Sequence, residues 1–167
     1  TPTRRQRQMC IRDSPYTNEA FHLSCEKDYL FVSAGRVDGT NWNKTFNWHG
    51  IYAYNQSEWT MYNQITVPEM EQDIDTVSDI LSVTPHHSYE NEFYASSYGG
   101  GLLHFRDGQF VERYSHYNST LQPRIGQNSN VLVSSSAFES RGNLWVSKPY
   151  TNSPLSVMTS EGEWQSI

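Results

Sequence analysis

The residues best equipped for recognition chemistry fall in one stretch, where Trp42, Phe46, Trp48 and His49 follow one another among Asp38, Asn41, Asn43 and Asn47. Flat apolar rings interleaved with amide and carboxyl groups can stack on a glycan or clamp a peptide, because a rigid ring loses little conformational freedom on binding. The same rings could instead fold back and plug the stretch onto its own element. Tyr98 heads the corresponding, much shorter connection of the next repeat and completes the candidate ligand-binding set.

No catalytic constellation accompanies these residues. His86 and His87 sit beside Pro85 in an expected turn, while His22, His49, His104 and His116 are scattered without the i, i+4 pairing of a helical zinc site, so they read as exposed turn or strand histidines. Glu69, Glu71, Asp73, Asp75 and Asp79 could attract calcium, but the spacing lacks the glycine and terminal bidentate Glu of an EF-hand loop and reads as a solvated acidic link. Tyr98-Gly-Gly-Gly101 joins two strand patterns with no helix after it, so it is not a phosphate cradle, and no Gly-x-Ser-x-Gly elbow is present. The expectation is a non-enzymatic protein with no metal and no cofactor.

What must position the aromatic stretch is a repeat. Gly50-Ile51-Tyr52 stands 51 residues before Gly101-Leu102-Leu103, and Trp59, Phe110 and Trp164 follow one another at spacings of 51 and 54. Periods of about 50 residues belong to blade-like repeats. Within each unit, short runs of alternating apolar and polar residues are bounded by Gly, Asn, Asp or Ser, the pattern of half-buried antiparallel strands. The alternation predicts strands over 21–26, 29–34, 50–54 and 58–62, then 77–84, 92–97, 101–105 and 109–114, then 131–138, 143–148, 155–159 and 163–167. Arg106-Asp107-Gly108 is the tight turn of the second unit, since Asp-Gly readily takes positive φ; Asn55-Gln56-Ser57 and Ser160-Glu161-Gly162 are its equivalents. The expected fold is therefore all-β: three consecutive four-stranded antiparallel blades, about 20–63, 77–115 and 131–167, of a β-propeller. Three blades do not close a ring, so residues 15–167 are expected to be an incomplete propeller domain from a larger protein.

Residues 1–14 stand apart. They carry four of the nine arginines and no strand periodicity, and they resemble a translated sequencing-adapter tail; a basic disordered arm is the other reading. The whole chain has 12 basic and 18 acidic residues; setting aside those four arginines and Asp13 leaves 8 against 17. Such an acidic surface argues against a nucleic-acid partner. No apolar run approaches a membrane span. Cys25 is expected to be a small core residue, with a disulfide to Cys10 as the alternative.

The largest disagreement between repeats is the second-to-third-strand connection, three residues in the second unit (98–100) but fifteen in the first (35–49). In the usual blade topology this loop shares a face with the inter-blade links 63–76 and 115–130, which gathers the long segments on one side.

The wording of residues 80–105, of Asn118-Ser-Thr-Leu-Gln-Pro123 and of Ala137-Phe-Glu-Ser-Arg-Gly-Asn-Leu-Trp-Val146 resembles the propeller segments of PorZ-like proteins of Bacteroidetes. So does the insertion between Ala34 and Gly50. The resemblance covers about residues 20–167 and implies a seven-bladed propeller in a parent with a second propeller and a C-terminal sorting domain. It also implies a non-enzymatic, extracytoplasmic role in type IX secretion, with secretion-complex proteins or a surface glycan or lipopolysaccharide as partners. Gly142-Asn-Leu-Trp-Val146 is also similar to the periplasmic propellers of hybrid two-component sensors, which implies the alternative of an oligosaccharide-binding sensor.

Overall fold

Turn residues with positive φ cut the chain into short extended runs, and those runs pair with their sequence neighbours. The structure, a computed structural model, describes residues 15–70 and 77–167. Strands β1 (His22–Glu26), β2 (Tyr29–Ser33), β3 (Ile51–Tyr54) and β4 (Trp59–Tyr62) form the first antiparallel sheet. The second contains β5 (Ile80–Pro85), β6 (Glu92–Gly99), β7 (Gly101–Arg106) and β8 (Gln109–Tyr114). After the short β9 (Val131–Leu132), the third comprises β10 (Ser135–Phe138), β11 (Leu144–Ser147), β12 (Leu155–Met158) and β13 (Trp164–Ser166). A 3-10 turn at Pro68–Met70 is the one helical element among the described residues. No helix there is long and apolar enough to cross a membrane.

The Asp107-Gly108 turn behaves as its chemistry dictates: φ is 51° and 75° at the two residues, and Arg106 pairs directly with Gln109. Gly35 marks a close approach. Its N–H donates to the Ile80 carbonyl at 2.9 Å, and a Cβ there would lie 2.2 Å from the Ile80 nitrogen. The first sheet thus leans on β5 at the point where the long connection begins.

Three differences from the sequence reading have physical causes. Both faces of the second sheet are buried, β6 along its whole length, because sheets pack on either side of it; the half-buried pattern holds on strands such as β10. The expected strand over 77–84 begins only at Ile80, because Asp79 takes a φ of 48° and turns the chain. The expected strand over 131–138 is split: β6 runs two residues past its expected end and captures β9, pairing Tyr98 with Leu132 and Gly99 with Val131. Cys25 also departs from expectation. It is exposed on β1, an edge strand opposite Leu30, and Cys10 lies outside the described residues with the rest of 1–14.

Most of the core is divided between the two inter-sheet spaces, with Val32, Ala34 and Tyr52 forming a further cluster on the first sheet. Between the first and second sheets, Phe31, Ile51, Ala53 and Tyr62 meet Ile80, Phe93, Leu103 and Phe105. Phe93 stacks on Phe105 at 4.8 Å and meets Phe31 at 4.7 Å, with Tyr62 edge-on to both. Between the second and third, Tyr94 and Leu102 meet Leu144, Val146 and Met158, with Leu121 and Val131 supplied by the connecting segment.

Candidate functional site

The long connection of the first sheet is tied down by backbone-directed carboxylates. Asp38 accepts hydrogen bonds from the N–H groups of Thr40 and Asn41 and closes a small turn, with Val37 bridging Lys44. At its base stands Asp79, fully buried, whose carboxylate accepts from the N–H groups of Thr45, Phe46 and Asn47 at 2.9–3.0 Å and from the Thr45 hydroxyl at 2.5 Å. Such bonds to an ionised acceptor are the strong kind. Asp79 is therefore the latch of the connection and not part of a solvated link. Glu69 is exposed, while Glu71, Asp73 and Asp75 lie outside the described residues.

With the backbone held, the rings face outward. Trp42, Phe46 and Trp48 are 59, 57 and 52% exposed. They do not fold back onto the sheet. Trp42 and Phe46 adopt φ of 57° and 56°, a region costly for bulky residues, which the Asp38 and Asp79 bonds hold in place. His49 is half exposed and lies 3.5 Å from Glu19, which also accepts a bond from Asn47. Tyr98 differs from the other four. It is buried beside Leu81 and Leu132, and its hydroxyl donates to the Trp42 carbonyl at 3.0 Å, so it supports the loop from beneath. Arg124 reaches the same surface, its guanidinium 4.9 Å from the Tyr150 ring and donating to Asn43 at 3.4 Å.

A second region, at the opposite ends of the strands, was not singled out by the sequence. Glu92 and Tyr94 of β6 and His104 and Arg106 of β7 pair across the hairpin on the face toward the third sheet. They line an open cleft of about 860 Å³, closed on the other side by Phe138 and Arg141 and by the Met158-to-Gly162 turn. Glu92 is buried; it accepts from His104 Nε2 at 2.8 Å and, in a fork, from Arg106 Nε and Nη2 at 3.0 Å each. Burial by itself pushes its carboxyl up, but the bonds from Arg106 and His104 outweigh this and hold it below the usual carboxylate value. Burial holds the His104 imidazole below its ordinary value despite the raising effect of Glu92, so the ring is neutral at pH 7 with its proton on Nε2. Tyr94 stacks flat on His104 at 4.4 Å, and burial raises its phenol pKa. His104 is thus no exposed strand histidine. The signal that would have found the group is the hairpin itself: pairing 92–97 with 101–105 places both strands' alternate residues on one face.

Among the described residues, no group of three or more His, Cys, Asp or Glu side chains is placed to hold a metal ion.

The backbone is similar to a segment of PorZ. That solved structure, from Porphyromonas gingivalis and described as an essential bacterial surface component of the type-IX secretion system, superposes with a TM-score of 0.81 at 22% identity over 92% of this chain. Two extracellular domains from B. thetaiotaomicron also match: one assigned to a hybrid two component system (TM-score 0.56, 18% identity, 90% of this chain) and one to a one component system (0.57, 16%, 94%). The chain spans only 20% of the PorZ chain and 17 and 18% of the other two. At these identities the likeness is one of fold: an all-β, propeller-like arrangement of antiparallel four-stranded sheets. No family model matches the sequence, and no curated protein is detectably similar to it.

Proposed function

We propose that the three sheets are consecutive blades of a larger, seven-bladed β-propeller, and that this propeller is a non-catalytic binding module of a PorZ-like surface protein serving type IX secretion. The observation that carries the reading is the superposition with PorZ over 92% of the chain. The loop bearing Trp42, Phe46 and Trp48 is the contact surface: three rings on a backbone fixed by Asp79 form a preorganised platform that orders little on binding. Its partners are another protein of the secretion complex or a surface glycan or lipopolysaccharide, and its place is outside the cytoplasm. Tyr98 acts on that surface through the Trp42 carbonyl.

The experiment is deletion of the parent gene with secretion of type IX cargo as the readout, complemented by the native gene and by a Trp42→Ala/Trp48→Ala version. Loss of secretion restored only by the native gene supports the reading; unimpaired secretion in the deletion strain overturns it. A membrane span followed by a kinase in the parent gene favours the sensor reading instead, for which the two B. thetaiotaomicron domains are the support. Turnover abolished by a single Asp or Glu change would overturn the non-catalytic assignment.

A further inference from the structure

The cleft between the second and third sheets is unlike the space between the first and second. There, aromatic rings leave a gap of about 150 Å³; here, charged and imidazole side chains border about 860 Å³, a volume within the usual range of ligand sites. The ion pair is half-exposed, with Glu92 enclosed and Arg106 reaching solvent, so its Coulomb attraction adds little to stability. The fork of Arg106 on Glu92, itself fixed by His104, has a different consequence. One edge of the guanidinium, Nε and Nη2, is spent on Glu92 and the rest stands at the mouth, where the side chain is 55% exposed, so its remaining N–H groups are held in fixed directions.

We propose that this cleft is a binding site for a small neutral polyhydroxylated ligand, a saccharide of one or two rings, with Arg106 and His104 as the polar contacts and Tyr89, His86 and Phe138 as ring walls.

Three observations select that chemistry. First, donors and acceptors alternate. Arg106 donates, while His104 Nδ1 is buried without a hydrogen-bond partner and, with the proton on Nε2, can only accept. His86 accepts the N–H groups of Ser88 and Tyr89 on Nδ1, which leaves Nε2–H as a donor. Vicinal hydroxyl groups, each both donor and acceptor, satisfy such a set. Second, the walls are rings: His86 lies 4.4 Å from Phe138 and 4.7 Å from Tyr89, which is 61% exposed, and the C–H face of a sugar packs on surfaces of this kind. Third, the lining carries both signs, Glu90, Glu92, Asp107 and Glu161 beside Arg106 and Arg141, and its net charge of −2 disfavours anions. The assignment does not depend on the role proposed for the loop face, which lies at the other ends of the strands.

The test is titration calorimetry on the full 167-residue chain with maltose, cellobiose and N,N′-diacetylchitobiose, using glucuronate and choline as anionic and cationic counterparts. We expect a neutral disaccharide to bind with a Kd of about 1 mM or below. Arg106→Ala and Tyr89→Ala should each weaken it about tenfold, and Trp48→Ala should leave it unchanged. Tyr89 is exposed, so its variant reports on binding with the fold intact, as circular dichroism would verify. Preferential binding of glucuronate or choline, silence from all three neutral sugars, or sensitivity to Trp48→Ala with insensitivity to Arg106→Ala would each overturn the proposal.

Discussion

The two faces of the second sheet come from the same strands yet meet their neighbours in opposite ways. Toward the first sheet, Phe93 and Phe105 stack within a cluster of Phe and Tyr rings. Toward the third, the interleaved positions Glu92, Tyr94, His104 and Arg106 present charge and imidazole to an open cleft. One face is built to exclude water and the other keeps a polar network at its edge. The contrast teaches that a sheet buried on both sides can be apolar and closed on one face and polar and open on the other, because alternate residues of a strand never share a face.

The largest expected effect lies on the apolar side. Phe93→Ala leaves a cavity in the stacked cluster and should cost about 4 kcal/mol in urea unfolding; a cost as small as that of a surface substitution would break the contrast. Next comes the latch of the loop. Asp79→Ala removes four hydrogen-bond acceptor contacts from the connection 35–49 and should cost about 2 kcal/mol, with protease cleavage appearing within that connection. Equal resistance to cleavage in native and variant proteins would count against the latch. Glu92→Gln should cost somewhat less, about 1–2 kcal/mol, since Arg106 can turn to solvent while His104 keeps one partner.

The polar face should also make stability pH-dependent. His104 and His86 have folded-state values below the ordinary 6.5, His86 chiefly through burial, so their contribution is fully present above pH 6.5 and declines as the pH falls from there through the folded values. Glu92, also lowered, keeps its contribution above the ordinary carboxylate value of 4.5 and loses it on further acidification. The melting temperature should therefore drop between pH 7 and pH 5, and His104→Phe should flatten part of that slope; an unchanged slope would remove His104 from the account. The smallest effect is expected at the exposed rings, where Trp48→Ala should change stability by no more than about 0.5 kcal/mol.

How much of this was legible in the sequence depended on range. The Asp107-Gly108 hairpin, most of the expected strands and the long first-repeat connection were readable because turn chemistry and period-two alternation are local; the start of 77–84 and the split of 131–138 were not. The sequence leaves the exposure of Trp42 and Trp48 open, and it groups Asp79 with the acidic link instead of with the loop it holds. Its partners, Thr45, Phe46 and Asn47, stand more than thirty residues away. Cys25 was misplaced for a related reason: alternation says that a residue has a face, not whether anything covers it.

The sequence by itself determined the extended segments, their hairpin order and the positions where the repeats disagree, since each follows from neighbouring residues' φ preferences and side-chain alternation. Only the tertiary structure decided that Asp79 holds the aromatic loop open, that Tyr98 supports it from below, and that Glu92, His104 and Arg106 meet at the edge of a cleft. Those outcomes depend on which sheet packs against which face, and that is set by contacts between residues tens of positions apart, whose environment no local pattern records.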